Sequence, residues 1–203
     1  NIVTENSNRK LPREVEFKIA FCMMKTNDFE GAIDHFSKVT DSNDELGQYG
    51  SYYMAQCYTN TKQDKFARNT FFKAYKMNFN DSISENALLN YAILSFIPGI
   101  DPFNETVNVL NEYIKNNPNS IHAEEFQDIC VHILLKSNDY NAALECMEQY
   151  PDLSLELKKI QSELTYSAGM QQYKEGAYSE ALNYFKKSSQ VEALFWTADT
   201  YYL

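Results

Sequence analysis

The chain has 203 residues, of which 44% are hydrophobic and 14% are aromatic, so it holds enough apolar side chains to build a core. Six glycines and five prolines are too few for an all-β fold with many turns. The formal net charge of −10 argues against a DNA- or RNA-binding surface, because phosphate binding needs clustered lysine and arginine. The composition therefore indicates a folded chain that does not bind nucleic acid.

The longest apolar run spans residues 87–100, contains Asn90 and reaches a Pro-Gly pair near its end. It is too short and too broken to cross a bilayer, so we expect no direct membrane insertion of this segment. The chain begins at Asn1 without an initiator methionine, and it stops within a repeated pattern described below. We therefore expect a natural protein that is longer.

Four cysteines lie far apart, without the spacing of a metal site or a redox motif. Each lies in an apolar pattern of helical period, where a thiol behaves as a small hydrophobic group. We expect buried free thiols at Cys22, Cys57, Cys130 and Cys146.

A ten-residue pattern occurs three times, as NDFEGAIDHF (27–36), NDYNAALECM (138–147) and GAYSEALNYF (176–185). In each copy an aromatic residue is followed three positions later by a small residue, and four positions after that by a large apolar one. Two weaker copies lie at 64–74 and 102–113. The small residues thus recur at intervals of 35, 39, 37 and 38 residues, a period typical of helix–turn–helix solenoids, at Ala32, Ala67, Thr106, Ala143 and Ala181.

A second apolar pattern precedes each copy by twelve residues, and a short polar turn separates the two. Two antiparallel helices need a residue with little side chain where they cross, and large residues one turn away fill the adjacent groove. The positions twelve residues upstream are small in three copies and bulkier in two, and they carry Ala20, Ala55, Leu94, Val131 and Gly169. The motif therefore predicts stacked helix pairs.

The pattern resembles the tetratricopeptide repeat (TPR), which pairs a small residue in the first helix with aromatic-x-x-Ala and a large apolar residue in the second. In the first and fifth units these positions carry Ala20, Phe29, Ala32 and Phe36, and Gly169, Tyr178, Ala181 and Phe185. The resemblance implies an all-α fold, a right-handed α-solenoid of antiparallel helix pairs with about five and a half repeats. We expect an N-terminal tail or linker at 1–12 and a solenoid at 13–203, with units near 13–45, 46–80, 82–118, 121–152, 153–190 and a partial unit at 191–203.

Two stretches resemble TPR proteins of the bacterial cell envelope. EYIKNNPNSIHAEEF (112–126) is similar to the link between repeats in outer-membrane assembly lipoproteins and cell-division coordinators, where Pro118 would stop one helix and Ser120 would cap the next. Residues 45–79 resemble large exported TPR proteins of Bacteroidetes. The resemblance implies a periplasmic location or the periplasmic face of the outer membrane, and a cytoplasmic location stays open.

Two irregularities interrupt the repeat. In the third unit, Pro98 and Pro102 cannot continue a helix, so we expect a longer turn there. Near the end, the step from Ala181 to Ala198 is 17 residues, whereas the corresponding steps elsewhere are at least 23. So short a turn would fuse two helices, and we expect several residues to be missing between Gln190 and Val191.

Catalytic or metal-binding groups are not evident. His35 is expected on a wet surface and His122 in a helix-starting turn, and neither stands in a nucleophile motif. Residues 40–47 superficially suggest a calcium loop, but Leu46 stands where glycine is needed, so a polar turn with N-capping acids is the better interpretation. We expect no enzyme activity, no cofactor and no metal.

The resemblance also implies a binding face, because the first helices of TPRs line a concave groove at positions fixed relative to the small residue. In the first repeat these positions are Phe17, Phe21 and Met24. In later repeats, Thr59, Ser95 and Leu135 occupy corresponding groove positions. The candidate binding residues of the groove are Tyr52, Gln56, Tyr91, Asp128, His132, Tyr166, Met170 and Tyr173. Tyrosine and methionine suit recognition surfaces, although such residues can equally pack one repeat on the next.

Little positive charge lies at these groove positions. They therefore do not resemble the basic clamp with which some TPR domains hold the acidic tails of heat-shock chaperones. The leading hypothesis is a non-catalytic protein–protein interaction scaffold that binds an unidentified protein or peptide in the groove, as part of a longer array in the envelope. Two alternatives stay open: a structural spacer or oligomerisation segment, and a module that binds glycans or cell-wall fragments by stacking on the tyrosines.

Overall fold

The computed structural model describes residues 11–97, 99–100, 105–149 and 153–202. Within these ranges the chain is entirely helical, as the sequence predicts, and contains no β-strand. Its eleven helices are α1 (Arg13–Lys25), α2 (Phe29–Ser37), α3 (Glu45–Asn60), α4 (Asp64–Met77), α5 (Asp81–Leu94), α6 (Glu105–Asn116), α7 (Ala123–Lys136), α8 (Tyr140–Glu148), α9 (Leu155–Lys174), α10 (Tyr178–Lys187) and α11 (Val191–Thr200).

The chain divides into two compact units, Asn1–Thr106 and Val107–Leu203. In the first unit α3 packs against α2 and α4, which in turn contact α1 and α5. In the second unit α8 packs against α7 and α9, and α10 packs against α9 and α11. Each unit is therefore a stack of helix pairs, the packing of an α-solenoid.

The turns within the helix pairs share one backbone device. A residue in the left-handed region follows the first helix of the pair and reverses the chain, at Asn27 (φ 63°), Lys62 (φ 58°), Asn138 (φ 60°) and Gly176 (φ 78°). At two of these turns the next residue caps the second helix, because the side chains of Asp28 and Asp139 accept hydrogen bonds from the backbone N–H groups of Gly31 and Ala142. Asp44 caps α3 in the same way, which agrees with the capping turn predicted for residues 40–47.

The predicted small and large positions form the interior. All ten small or upstream positions are buried, from Ala20 and Ala32 to Gly169 and Ala181. The large residues four positions after the second-helix small residue are among the most deeply buried side chains: Phe36, Phe71, Leu110, Met147 and Phe185. The crossing of α9 and α10 is so close that a Cβ atom on Gly169 would lie 2.7 Å from the ring of Phe185.

The connection between α10 and α11 differs from the prediction. Ser188 and Gln190 adopt extended backbone conformations (ψ 138° and 136°), which end α10 and start α11 without fusing them. Ala193 is the buried small residue of α11, whereas Ala198 is exposed. The short connection therefore does not fuse the two helices. The expectation that residues are missing near Gln190–Val191 stays a prediction.

Three local expectations have different outcomes. Cys57, Cys130 and Cys146 are buried free thiols as predicted, but Cys22 is exposed because it lies on the side of α1 opposite Ala20 and Met24. Burial raises the pKa of the Cys57 thiol to about 11. Pro98 and Pro102, with the longer turn expected around them, lie outside the described residues.

The prediction that Ser120 caps the next helix is wrong: the N-cap residue of α7 is His122, and Ser120 lies two residues earlier. Its hydroxyl accepts a hydrogen bond from the backbone N–H of His122 (3.2 Å), which precedes the helix, and α7 begins at Ala123. Ser120 thus stabilises the turn before α7, whose N-cap residue His122 makes no side-chain capping hydrogen bond.

Candidate functional site

Tyr52 and Gln56 lie half-buried on α3, one turn apart. The Tyr52 ring makes edge-to-face contacts with Tyr53 (5.4 Å between centroids) and Phe71 (5.7 Å). Burial raises the pKa of the Tyr52 hydroxyl, and the neighbouring Gln56 side chain opposes this shift. These two predicted residues therefore form a partly accessible pair of an aromatic ring and an amide in the first compact unit, Asn1–Thr106.

The positions predicted on α1 mainly pack the first repeat. Met24 is buried, and Phe17 and Phe21 pack against the same core cluster. The Phe17 ring lies 5.7 Å from Phe36 and 6.1 Å from Tyr53. Since α3 supplies Tyr53 to cover these rings, the packing interpretation holds for this end of the predicted stripe.

Tyr91 is not a surface residue, and its assignment to the binding groove is corrected. It is only 3% exposed, and its hydroxyl accepts a hydrogen bond from the Arg68 Nη2 group at 2.9 Å. The Arg68 guanidinium also lies over the Tyr91 ring (4.4 Å) and donates through Nε to the Ser95 hydroxyl (3.0 Å). Ser95, another predicted groove position, is equally buried, so both residues belong to an interior polar network.

Asp128 and His132 lie one turn apart on α7 and are both half-buried. Burial raises the pKa of the Asp128 carboxyl, and the nearby His132 lowers it in part. The pair gives this face of α7 a polar character, in contrast to the aromatic face of α9.

Two predicted residues on α9, Tyr166 and Met170, line an open depression of about 470 Å³. Its remaining lining side chains are polar or charged, namely Ser167, Gln171, Lys174 and Glu175. Tyr166 and Met170 pack underneath against a buried cluster formed by Ala181, Phe185 and Ala193. We call this feature the α9 depression; it combines an apolar floor held by the core with a rim of hydrogen-bonding groups.

Tyr173, the third residue predicted on α9, faces α11. Its hydroxyl donates a hydrogen bond to the Asp199 carboxylate, which raises the pKa of Tyr173 to about 12. Its ring makes edge-to-face contacts with Trp196 (5.1 Å) and Tyr178 (5.5 Å). Tyr173 therefore fixes α11 to α9, and it does not line the α9 depression.

A second cavity, of about 550 Å³, was not predicted. It lies among α8, α9 and α10 and is lined mainly by polar side chains, including Thr165, Tyr184 and Lys187. Lys187 forms an ion pair with Glu148 across it (2.6 Å). The sequence pattern missed this cavity because its lining comes from three helices and from positions that the repeat motif does not define.

The histidines have local partners. His35 is bonded to the buried carboxylate of Glu16, and its side chain remains 23% exposed, so the expected surface position is partly correct. His122 lies 3.3 Å from Glu125 in the turn that begins α7, as predicted.

Within the described ranges, no three His, Cys, Asp or Glu side chains are grouped so that they could hold a metal ion, and no helix is long and apolar enough to span a bilayer.

Comparison with known proteins supports the repeat assignment. Residues 14–44 match the family model of the tetratricopeptide repeat. The chain is similar to the solved structure of a TPR repeats protein from Bacteroides fragilis at 16% identity and a TM-score of 0.59, over 95% of this chain and 99% of that one. The fold is that of a tetratricopeptide repeat protein.

Two further TPR structures are similar at lower TM-scores. YrrB, a TPR protein with an unusual peptide-binding site, is 17% identical with a TM-score of 0.45, over 91% of this chain and 86% of that one. A putative kinesin light chain with nearly identical TPR-like repeats from Podosopora anserina is 12% identical with a TM-score of 0.48, over 95% and 99% of the two chains. No curated protein matches the chain.

Within the TPR fold, buried polar side chains also went unpredicted. Gln48 is fully buried on α3, and its amide donates to the carbonyl of Ala74 (3.1 Å) and the hydroxyl of Ser84 (2.9 Å). Its carbonyl accepts from the backbone N–H of Phe79 and Asn80. The side chain thus satisfies the backbone groups of the turn between the second and third TPRs. A glutamine inside an otherwise small and apolar helix face was the available signal.

Proposed function

We propose that this chain is a non-catalytic scaffold that binds an extended peptide or a partner helix on the exposed faces of its first helices, without a cofactor. The observation that carries the proposal is the α9 depression, where Tyr166 and Met170 form an apolar floor within a volume of about 470 Å³. Two residues that the TPR resemblance assigns to the binding groove thus lie together in this open depression.

The chemistry of the α9 depression suits a peptide. A tyrosine ring offers a large rigid contact area, and a methionine side chain adapts its shape to different apolar anchors. Gln171 and Ser167 at the rim can donate to and accept from a peptide backbone, and Lys174 and Glu175 offer both signs of charge. The expected ligand is therefore a segment with one apolar anchor flanked by polar residues.

The test is selection of peptides from a random phage-displayed library on the immobilised chain. We expect enriched peptides to share an apolar anchor and to bind the purified chain in solution. The variant Tyr166→Ala/Met170→Ala should lose at least tenfold in affinity, which corresponds to about 1.4 kcal/mol. Tyr140→Ala is the matched control, because Tyr140 is a tyrosine of the same compact unit that is 47% exposed and lies on α8.

Helicity measured by circular dichroism should be the same in the wild type and both variants. If the double variant keeps full affinity while folded, the ligand site lies elsewhere and the assignment to the α9 depression fails. If the Tyr52→Ala/Gln56→Ala variant loses the affinity instead, the corresponding face of α3 is the binding surface.

We also propose that the chain belongs to a longer TPR array that serves a complex of the bacterial envelope, on its periplasmic side. Support comes from residues 112–126 and 45–79, which resemble the repeat link and the repeats of envelope TPR proteins. Fractionation of the source cells, followed with an antibody against this chain, tests the location. Recovery of the protein in the cytoplasmic fraction alone would contradict it.

A further inference from the structure

The cavity of about 550 Å³ among α8, α9 and α10 has two facing walls and a floor. Its lining on α8 lies within residues 141–148 and its lining on α10 within residues 180–187, in both cases with the spacing of a single helix face. The floor is formed by Thr165 of α9. We call this feature the α8–α10 cavity.

The α8–α10 cavity lies inside the stack of helices. Both α8 and α10 pack against α9, and α10 also packs against α11. A further helix after α11 would stack on the side of α10 that faces away from α8, so it would leave the cavity open. The cavity is therefore a property of the fourth and fifth repeats themselves.

The walls of the cavity carry an excess of negative charge. Three carboxylates, those of Glu145, Glu148 and Glu180, accompany a single cation, Lys187. Lys187 is already paired with Glu148 at 2.6 Å. Glu145 and Glu180 form no ion pair with any residue that the structure describes. Each wall thus offers one free carboxylate to a ligand.

The floor of the cavity independently favours a ligand that donates hydrogen bonds. Thr165 is only 3% exposed, and its hydroxyl group donates to the backbone carbonyls of Gln161 (2.8 Å) and Ser162 (3.0 Å). Because a hydroxyl group has one proton and two acceptor lone pairs, only acceptor capacity remains for a ligand. Floor and walls therefore require the same chemistry, a donor of hydrogen bonds with positive charge.

An organic cation fits this lining better than a metal ion. The half-buried ring of Tyr184 lies in the α10 wall, and the face of an aromatic ring attracts an ammonium group. A metal ion needs several ligating groups around one point, and in the described part of the chain no three acidic, histidine or cysteine side chains are grouped in this way. The carboxylates of the cavity are instead spread along two helices.

The spacing of the free carboxylates indicates an elongated cation. Short connections join α8, α9 and α10, so α8 and α10 run in the same direction. The pairing of Lys187 with Glu148 places the last turns of the two helices level with each other. Glu145 stands three residues before Glu148, whereas Glu180 stands seven residues before Lys187. The two free acids are thus offset by four residues, or about 6 Å, along the helix axis.

We propose that the α8–α10 cavity binds a linear polyamine, a flexible chain whose ammonium groups are separated by a few methylene groups. One ammonium group pairs with Glu145 and another with Glu180. The chain between them lies against the Tyr184 ring, and a further N–H group donates to Thr165. The volume lies within the range of about 300–1,000 Å³ that is common for small-molecule sites. Because both acids are exposed, each ion pair is weak, and we expect dissociation constants between about 10 μM and about 1 mM.

Isothermal titration calorimetry of the 203-residue chain with spermidine, at low ionic strength, tests the proposal. We expect one spermidine molecule to bind per chain. Glu145→Gln/Glu180→Gln should weaken binding about tenfold, because it removes both free carboxylates. The matched control is Glu163→Gln/Glu192→Gln, which removes the same charge from two exposed acids of the second compact unit that do not line the cavity. The control should bind spermidine as the wild type does.

A gain of affinity separates the proposal from an effect on folding. Lys187→Gln removes the cation of the cavity and frees Glu148, so it should strengthen spermidine binding about threefold. Lys186→Gln makes the same change of net charge at an exposed neighbour outside the cavity, and it should leave the affinity unchanged. These results, together with unchanged helicity of all variants by circular dichroism, would support the proposal.

Four results would overturn it. Equal weakening by the two double variants shows a general attraction of cations to a chain with a net charge of −10. Displacement of spermidine by an equal concentration of Mg²⁺ shows a site for charge alone. No binding of spermidine, with or without binding of an arginine-rich peptide, excludes a polyamine as the ligand. Loss of spermidine binding in Tyr166→Ala/Met170→Ala places the cation at the α9 depression, whereas the proposal expects this variant to keep its affinity for spermidine.

Discussion

The first and fifth repeats have the same packing motif but different surfaces. In the first repeat, α3 supplies Tyr53, which covers the Phe17 and Phe21 rings of α1 (6.1 and 5.2 Å between centroids). In the fifth repeat, α11 supplies Trp196, which contacts Tyr173, while Tyr166 and Met170 line an open depression. The motif thus determines how the two helices of a pair pack, and the helix that follows determines whether the face of the first helix is covered.

The first and fifth repeats also differ in the polar contacts between the two helices of the pair. Glu16 stands four residues before Ala20, and it is buried and bonded to His35 and Lys38 on α2. The corresponding residues of the fifth repeat are Thr165, Tyr184 and Lys187, and all three line the cavity of about 550 Å³. An ionic contact in one repeat therefore corresponds to a polar cavity in the other, because a threonine is too short to reach the neighbouring helix.

The largest effects are expected from removing the buried phenylalanine of each repeat. Phe36→Ala and Phe185→Ala should each reduce the free energy of unfolding by about 3–5 kcal/mol, because both rings are at most 2% exposed. Phe36→Ala should cost more, since Phe17 and Tyr53 enclose its ring, whereas the open α9 depression lets the fifth repeat relax around a cavity. Urea unfolding followed by circular dichroism measures both changes. Equal losses, or a larger loss for Phe185→Ala, would contradict this account.

The close crossing in the fifth repeat predicts a smaller effect, caused by too much side-chain volume instead of too little. Gly169→Val should reduce the free energy of unfolding by about 1–3 kcal/mol, because a Cβ atom at this position would lie only 2.7 Å from the Phe185 ring. The double variant Gly169→Val/Phe185→Leu should recover part of this loss, since leucine vacates the ring position. Urea unfolding measures all three variants. If the losses of unfolding free energy from the two single changes simply add in the double variant, the two side chains do not compete for the same space.

Sequence periodicity predicts the interior well and the binding surface poorly, for a physical reason. Ala20, Ala67 and Gly169 can be located from spacing, because a small residue at a helix crossing is required by the pair that contains it. Tyr52, Tyr91 and Tyr166 occupy similar positions in their repeats and look equally exposed in the sequence. Tyr91 is nevertheless buried, because Arg68 from the preceding helix covers it.

Contacts between repeats explain the other errors too. Nothing within residues 190–200 indicates that Ala193 rather than Ala198 faces α10, since both are alanines of the same helix. The choice depends on the extended backbone at Ser188 and Gln190, which sets the orientation of α11. Likewise, the position of His35 follows from Glu16 on another helix, nineteen residues away.

The ionic contact of the first repeat predicts a dependence of stability on pH. Hydrogen bonds from His35 and Lys38 hold the pKa of the Glu16 carboxyl below its usual value of 4.5, against the effect of burial. A carboxyl with a lowered pKa in the folded state stabilises the protein above the unfolded pKa, and that contribution is lost as the pH falls through the folded value. Stability should therefore decline below about pH 4.5.

Glu16→Gln isolates this contribution. At pH 7 it should cost about 1–2 kcal/mol, because an amide replaces a charged acceptor of two hydrogen bonds. The difference between wild type and variant should shrink as the pH falls below 4.5. Thr165→Ala is the matched change in the fifth repeat, and it should show no such dependence on pH. If the difference in unfolding free energy between the wild type and Glu16→Gln stays constant down to pH 2, this role of Glu16 is ruled out.

The smallest effect concerns the turns, where the two repeats solve the same problem with different residues. Asn27 in the first repeat and Gly176 in the fifth both adopt the left-handed conformation, at φ 63° and 78°. Gly176→Ala should cost about 1 kcal/mol, because a Cβ atom is disfavoured there, whereas Gly176→Asn should cost only a few tenths, since asparagine tolerates this region. A Cβ atom on Gly176 would meet no other group, so backbone strain alone accounts for the difference. Thermal unfolding of the two variants measures it, and equal stability of Gly176→Ala and Gly176→Asn would show that the turn shifts to a different conformation instead of bearing the strain.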